Sequence, residues 1–168
     1  SFGGGIFISE TNKKSIFNNT IFSYLTGMEK NQFITNNLES NFQINTKYNK
    51  LKINSYIYGK KNIEKNNYSY LDGRVLYGAI NFYNTKVYIK DCKFSKIDSE
   101  DAVNFISSKY FLENTKFEEV KSDAIDVDFG KGEINNSIFL NIGNDGIDLS
   151  GTTAILRNNS FTNVSDKI

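Results

Sequence analysis

The sequence Asp-Ala-Ile-Asp-Val-Asp at residues 123–128 recurs 22 residues later as Asp-Gly-Ile-Asp-Leu-Ser at residues 145–150. Apolar and polar residues alternate in both stretches, which is typical of strands whose successive side chains point to opposite faces. Related segments begin at residues 78 and 101, so the spacing is 22 or 23 residues throughout. A fixed repeat of this length predicts that each repeat forms one layer of a stack.

Alignment of the repeats places like apolar residues in four columns. The columns are Phe94, Phe117, Phe139 and Phe161; Ile97, Val120, Ile142 and Val164; Ile80, Val103, Ile125 and Ile147; and Ile89, Leu112, Ile134 and Leu156. Each repeat holds three short apolar runs separated by Gly, Asn, Asp and Ser, which favour turns. Three strands and three turns per repeat predict an all-β fold, a right-handed parallel β-helix (solenoid) with coils of about 22 residues. A long amphipathic helix is the competing structure, but the alternation and the β-branched residues favour strands.

A polar column precedes the Phe column and contains Asp91, Asn114, Asn136 and Asn158. Asn and Asp tolerate the left-handed backbone conformation that a tight corner requires. Stacked side-chain amides can also form hydrogen bonds from one layer to the next. We therefore expect this column to mark one corner of every coil.

The repeat also defines the organisation of the chain. We expect a single β-helix domain over residues 1–168, with one coil at 3–25 and four regular coils at 76–168. Between 26 and 75 the repeat fades, which indicates an irregular insertion or distorted coils, although alternation at 51–58 predicts a strand. Because the pattern runs into both ends, we expect the chain to be a fragment of a longer protein or assembly.

Composition excludes several classes of function. The net charge is +1, so the sequence does not predict nucleic-acid or anionic-membrane binding, and no apolar run approaches the roughly 20 residues of a membrane span. The chain has no His, which removes the commonest general base and the commonest transition-metal ligand. Cys92 is the only cysteine, so neither a disulfide framework nor a thiolate metal cluster is expected.

Carboxylates and amides follow the repeat as well. One column contains Asp101, Asp123, Asp145 and Asp166, a second contains Asn81, Asn104, Asp126 and Asp148, and Asp128 lies beside the second. The simplest interpretation is structural, with corner carboxylates accepting backbone N–H bonds and the others forming a solvated acidic face. Two chemical interpretations stay open, because clustered oxygens suit Ca²⁺ and paired carboxylates can act as acid and base on a sugar.

These alternatives assign residues to different kinds of site. The candidate catalytic residues are Asp123, Asp126, Asp128, Asp145 and Asp148. The candidate binding residues are Asn104, Asp126, Asp128, Asp148 and Tyr83, with Tyr88 as a further aromatic that could stack on a sugar. The candidate calcium ligands are Asp126, Asp128 and Asp148, and no other cofactor is expected.

The stretches Ser-Asp-Ala-Ile-Asp-Val-Asp (122–128) and Gly-Asn-Asp-Gly-Ile-Asp-Leu-Ser-Gly (143–151) resemble the pectin-lyase-like superfamily of right-handed β-helices. Residues 78–83 with 99–102 resemble β-helix modules of bacterial surface proteins, including modules that occur with CotH-like proteins. This resemblance implies an extracellular or cell-surface location. Residues 144–146, Asn-Asp-Gly, are also similar to the Asn-Thr-Asp-Gly of polygalacturonase-type hydrolases.

The catalytic pattern of those enzymes is incomplete here. The hydrolases add a second Asp pair and a Gly-His-Gly, and the lyases use an Arg or Lys base beside Ca²⁺. The chain has no His, and its two arginines, Arg74 and Arg157, lie outside the acidic columns. The sequence therefore predicts a non-catalytic surface or secreted module that binds polysaccharide or a surface protein. A polysaccharide lyase, hydrolase or epimerase is the alternative, and a structural spacer or filament component is a third.

Overall fold

The computed structural model describes residues 4–11, 13–27, 41–45, 50–54, 69–71, 74–166 and 168. Within these ranges the secondary structure consists of strands, and no helix is present. The strands are β1 (Ile6–Ser9), β2 (Ser15–Asn18), β3 (Ile21–Ser23), β4 (Asn41–Asn45), β5 (Lys50–Asn54), β6 (Ser69–Leu71), β7 (Arg74–Leu76), β8 (Gly78–Tyr83), β9 (Lys86–Lys90), β10 (Lys93–Ile97), β11 (Asp101–Ile106), β12 (Lys109–Glu113), β13 (Lys116–Val120), β14 (Asp123–Asp128), β15 (Lys131–Asn135), β16 (Ile138–Asp145), β17 (Ile147–Ser150), β18 (Thr153–Arg157) and β19 (Ser160–Asp166).

Fifteen of these strands form three parallel sheets of five strands each. The first sheet has the order β1-β8-β11-β14-β17, the second β2-β9-β12-β15-β18, and the third β3-β10-β13-β16-β19. Each coil contributes one strand to each sheet, so five coils stack along one axis. The prediction of a parallel β-solenoid with coils of about 22 residues is therefore confirmed.

The four predicted columns all lie in the interior. The Phe column is continuous, with ring centroids 4.7 Å apart between Phe94 and Phe117, 5.2 Å between Phe117 and Phe139, and 4.8 Å between Phe139 and Phe161. Phe22 of the first coil extends this column, with its ring centroid 4.9 Å from that of Phe94. The three aliphatic columns also pair in register, coil upon coil. Because each layer covers the apolar face of its neighbour, burial comes from stacking and not from any single coil.

The polar corner column has the expected backbone conformation. Asp91, Asn114, Asn136 and Asn158 have φ values between 49° and 54°. Asn114 donates from Nδ2 to Asp91 Oδ1 at 2.6 Å, and Asn158 donates from Nδ2 to Asn136 Oδ1 at 3.3 Å. A second column of left-handed residues lies in the third sheet, where Asn163 donates to Asn141 Oδ1 at 2.8 Å. The sequence analysis did not anticipate this second column.

The stretch from 26 to 75 differs from the coils. Its described strands form two antiparallel ladders, β4 with β5 and β6 with β7. The strand predicted at 51–58 is present over Lys50–Asn54, and residues 55–58 lie outside the described residues. In the part of the chain that the structure describes, no helix has the length and apolar character needed to cross a membrane.

Candidate functional site

The predicted acidic residues gather on the outer side of the first sheet, in its last two strands. The register pairs Asp126 of β14 with Asp148 of β17, and Asp128 with Ser150. The flanking residues Ile125 and Val127 point inward and are completely buried, as strand alternation requires. The backbone thus carries carboxylates on adjacent strands, about 4.8 Å apart along the axis.

On the two coils that precede these carboxylates, the same column contains Asn instead of Asp. Asn81 and Asn104 occupy the equivalent positions on β8 and β11, and neither exposes any surface to solvent. Asn81 closes on the backbone of its own strand, accepting from Gly78 N at 3.0 Å and donating to Gly78 O at 2.6 Å. The sequence predicted that Asn104 lies on a ligand-binding face, but in the structure it is buried. Strand alternation predicts on which face of the sheet a side chain lies, but not whether other residues cover that face.

Asn104 acts instead as a link between two acids. Its Nδ2 donates to Asp101 Oδ2 at 3.1 Å and to Asp126 Oδ2 at 2.8 Å. Its Oδ1 is buried and has no hydrogen-bond partner. The Asn members of the column are therefore hydrogen-bonded inside the protein. The column becomes accessible only on the last two coils, at Asp126 and Asp148.

Burial and mutual repulsion perturb this group of carboxyls. Burial raises the pKa of Asp126 to about 7, and the neighbouring charges of Asp128, Asp148 and Asp123 add to the effect. Burial likewise raises the pKa of Asp101 well above its usual range, although the hydrogen bond from Asn104 opposes the shift. The pKa of Asp128 is raised by burial and by the charge of Asp148. Near neutral pH Asp126 is therefore partly protonated.

A second set of carboxylates meets at the corner that leads into β17. Asp123, Asp145 and Asp148 each offer one oxygen, and these oxygens lie within 4.8 Å of one another. Asp123 Oδ1 accepts from Asn144 Nδ2 at 2.8 Å and from the backbone N of Asp145 at 2.9 Å. Asp123 thus caps the corner of the next coil by accepting a backbone N–H bond, as the structural interpretation of the corner column predicted.

This corner, and not the predicted set of Asp126, Asp128 and Asp148, brings three carboxylate oxygens together among the described residues. Asp123 and Asp145 are equivalent positions of successive coils, 22 residues apart, and Asp148 follows Asp145 by three residues. Repeat alignment therefore placed all three in the two acidic columns. It did not show which carboxylates converge, because that depends on side-chain geometry.

Tyr83 lies apart from the acidic cluster. It shares a column with Asp128, but Ile106 of the intervening strand separates the two. Two strand spacings correspond to about 10 Å, so Tyr83 and Asp128 could contact only different parts of an extended ligand. The predicted binding residues therefore do not converge on one compact pocket.

Other candidates are also placed by the fold. Tyr88 lies on the second sheet, where 43% of its surface is exposed, and Arg157 lies on the same sheet at the opposite end. Cys92 is buried, and its Sγ donates to Lys90 O at 3.1 Å. No family model, no curated protein and no solved structure matches this chain.

Proposed function

We propose that this chain is a non-catalytic β-helix module of a bacterial surface or secreted protein, with a fold of the pectin-lyase-like type. Its task is to bind polysaccharide or the surface of another protein along the flat faces of the solenoid. Modules of bacterial surface proteins, including those that occur with CotH-like proteins, are the proposed relatives. The expected location is extracellular or at the cell surface.

The observation that supports this proposal is the in-register stacking of outward side chains. Each coil presents the equivalent residue next to that of the previous coil, as in the exposed column of Lys86, Lys109 and Lys131. A linear polymer laid along the axis would therefore meet a similar group every 4.8 Å or so. Repetition of this kind suits an extended ligand, whereas catalysis requires several different groups to converge on one bond.

The test combines binding and turnover on one panel of soluble acidic and neutral polysaccharides. We expect measurable binding and no release of reducing ends or unsaturated products at any pH between 4 and 9. Binding to none of the polymers would contradict the carbohydrate part of the proposal and leave the surface of another protein or the structural spacer. Cleavage that disappears in the variant with Asp126→Ala and Asp148→Ala would contradict the non-catalytic assignment.

A polysaccharide-active enzyme is the second candidate, and the pKa of Asp126 favours it. A general acid works best when its pKa lies near the operating pH. Burial raises the pKa of Asp126 to about 7, and its register partner Asp148 supplies a second carboxyl on the adjacent strand. If this candidate is correct, activity should depend on a group with a pKa near 7, and Asp126→Asn should abolish that dependence.

Calcium is the one cofactor that the acidic corner fits. Asp123, Asp145 and Asp148 would supply three of the six to eight oxygens that Ca²⁺ takes, leaving the remainder to water or to ligand hydroxyls. A bound cation would stabilise the folded state. We expect millimolar Ca²⁺ to raise the melting temperature of the wild-type chain but not of Asp145→Asn. An unchanged wild-type melting temperature would remove calcium from the proposal.

A further inference from the structure

The second sheet carries a column of lysines on its outer side. Lys86, Lys109 and Lys131 begin strands β9, β12 and β15, and the parallel register pairs each with the next. All three are exposed, and among the described residues none lies within ion-pair distance of a carboxylate. Three cationic groups are thus held about one strand spacing apart without compensation.

Other cations nearby are neutralised. On the same sheet Lys90 pairs with Glu113 at 2.9 Å, and Arg157 pairs with Glu133 at 3.0 Å. On the third sheet Lys93 and Lys116 are also stacked in register, but Glu118 lies between them and contacts both, with Lys93 Nζ at 2.8 Å. Like charges this close repel one another, so an unneutralised column favours a polyanionic partner.

An apolar column runs beside the lysines. Its outward members on successive coils are Ile16, Tyr88, Phe111 and Ile155, interrupted by Glu133. The rings of Tyr88 and Phe111 lie 5.8 Å apart at an angle of 37°, and Lys14 Nζ lies 4.6 Å from the centre of the Tyr88 ring. Residues two apart on a strand share a face, so this column lies about 7 Å from the lysines.

We infer that this face of the second sheet binds a linear anionic polysaccharide, with its carboxylate or sulfate groups along the lysine column. The sugar rings would lie on Tyr88, Phe111 and the flanking isoleucines, whose side chains contact C–H faces. This inference rests on the proposed carbohydrate-binding function and names its surface and ligand class. The surface is separate from the acidic columns of the first sheet.

Two observations favour a glycan over single-stranded nucleic acid. Among the described residues, the aromatic contact on this face is the tilted pair of Tyr88 and Phe111, and Ile16 and Ile155 offer no flat ring to a base. The first sheet is acidic and the net charge is +1, so the positive field that would attract a polyanion is restricted to the lysine column. A glycan needs only this stripe, because its rings can contact aliphatic side chains.

The probes are three cellulose derivatives with the same linear backbone, namely carboxymethyl-cellulose, cellulose sulfate and neutral hydroxyethyl-cellulose. Binding to the intact chain is measured by biolayer interferometry at low and high salt. We expect one or both charged polymers to bind, more weakly at high salt, and the neutral polymer to bind at least tenfold more weakly. The two charged arms distinguish carboxylate from sulfate recognition.

The decisive variant is Lys86→Gln with Lys109→Gln, and the matched control is Lys93→Gln with Lys116→Gln. Both remove two in-register lysines from adjacent coils, but only the first removes unpaired ones. We expect the first to weaken binding roughly tenfold, equivalent to about 1.4 kcal/mol, and the control to change it less than twofold. Melting temperatures of both variants verify folding, and the salt dependence of the wild type tests the inference without any substitution.

Three results would overturn the inference. They are equal losses in the two variants, binding of the neutral polymer as tight as that of the charged ones, and tighter binding of single-stranded oligothymidylate. If neutral polymer binds and the lysine column has no influence, the proposed carbohydrate-binding function stands and only this inference fails. If none of the three polymers binds, this inference fails, and the panel of acidic and neutral polysaccharides decides whether the proposed carbohydrate-binding function stands.

Discussion

The first and second sheets stack like charges in the same way, yet they treat those charges differently. On the first sheet Asp126 is partly buried beside Asp128 and Asp148, and its pKa rises to about 7. On the second sheet Lys86 and Lys109 are exposed, so water screens their mutual repulsion. Register brings like groups together, but burial decides how strongly neighbouring charges act on one another.

This contrast also explains why the net charge says little about the surface. A value of +1 hides an acidic face and a basic face on one small solenoid. A partner would encounter local fields of opposite sign on different sheets. The composition could therefore exclude a strongly basic protein, but not a basic stripe.

The largest expected effect comes from the core that both faces share. Phe117 is completely buried between Phe94 and Phe139. Phe117→Ala should lower the free energy of unfolding by about 3–5 kcal/mol in urea titrations, equally at low and high salt. Phe129→Ala, at a side chain that is 72% exposed, is the control and should cost less than about 0.5 kcal/mol. Similar losses in the two variants would show that the faces do not depend on one stacked core.

Asp126→Asn should remove the titration that distinguishes the first sheet. Because its pKa is about 7 when folded and near 3.8 when unfolded, the folded state binds the extra proton, and stability falls as pH rises from 4 to 7. The variant should gain roughly 1–2 kcal/mol at pH 7.5, discounted for partial exposure, and nothing at pH 3. Melting temperatures across this pH range provide the measurement.

Asp91→Asn is the matched control for that substitution. Asp91 also accepts a hydrogen bond from an asparagine of the next coil, but it lies at an exposed corner. Its replacement should not reproduce the gain in stability at pH 7.5 that Asp126→Asn gives. An equal change in both variants would mean that burial of the first sheet is not the cause.

The smallest effect concerns Glu118→Gln, which would make the paired lysines of the third sheet resemble those of the second. Hydrogen bonds from Lys116 and Lys93 lower the pKa of Glu118 to about 2. Its contribution is therefore present above pH 4.5 and is lost as pH falls towards 2. The variant should melt slightly lower than the wild type at pH 7 and low salt, with the difference vanishing at high salt or at pH 2. A difference that persists in 1 M salt would point to packing and not to charge.

The sequence predicted the stacked coils because a single repeat of about 22 residues determines them. Phe94, Phe117 and Phe139 could be placed in one column before any coordinates, since equivalent positions on successive coils must stack. The left-handed corner at Asn114 and Asn136 followed from side-chain chemistry. The environment of such residues is formed by their own repeat and its immediate neighbours, and the alignment of repeats contains all of these.

The site was less predictable, because it depends on side-chain contacts that the repeat does not encode. Asn104 is buried although alternation places it on the outer face, and the carboxylates that converge are Asp123, Asp145 and Asp148 and not the predicted set. The column of Lys86, Lys109 and Lys131 was visible in the same alignment and was missed. These lysines follow the same spacing as Lys93 and Lys116, and the two sets differ in their ion pairs. Ion pairs can be seen in the structure but not in an alignment of repeats.

The most direct test of the in-register stacking is disulfide trapping of neighbouring coils. In a Cys92→Ser background, Lys109→Cys with Lys131→Cys places the two cysteines on register partners, within the Cα separation that a disulfide allows. Lys109→Cys with Glu133→Cys offsets them by two residues, which separates the Cα atoms by about 8 Å. Under mild oxidation, peptide mass spectrometry should find the crosslink in the first pair and not in the second. A crosslink in the offset pair alone would contradict the stacking on which both charged faces depend.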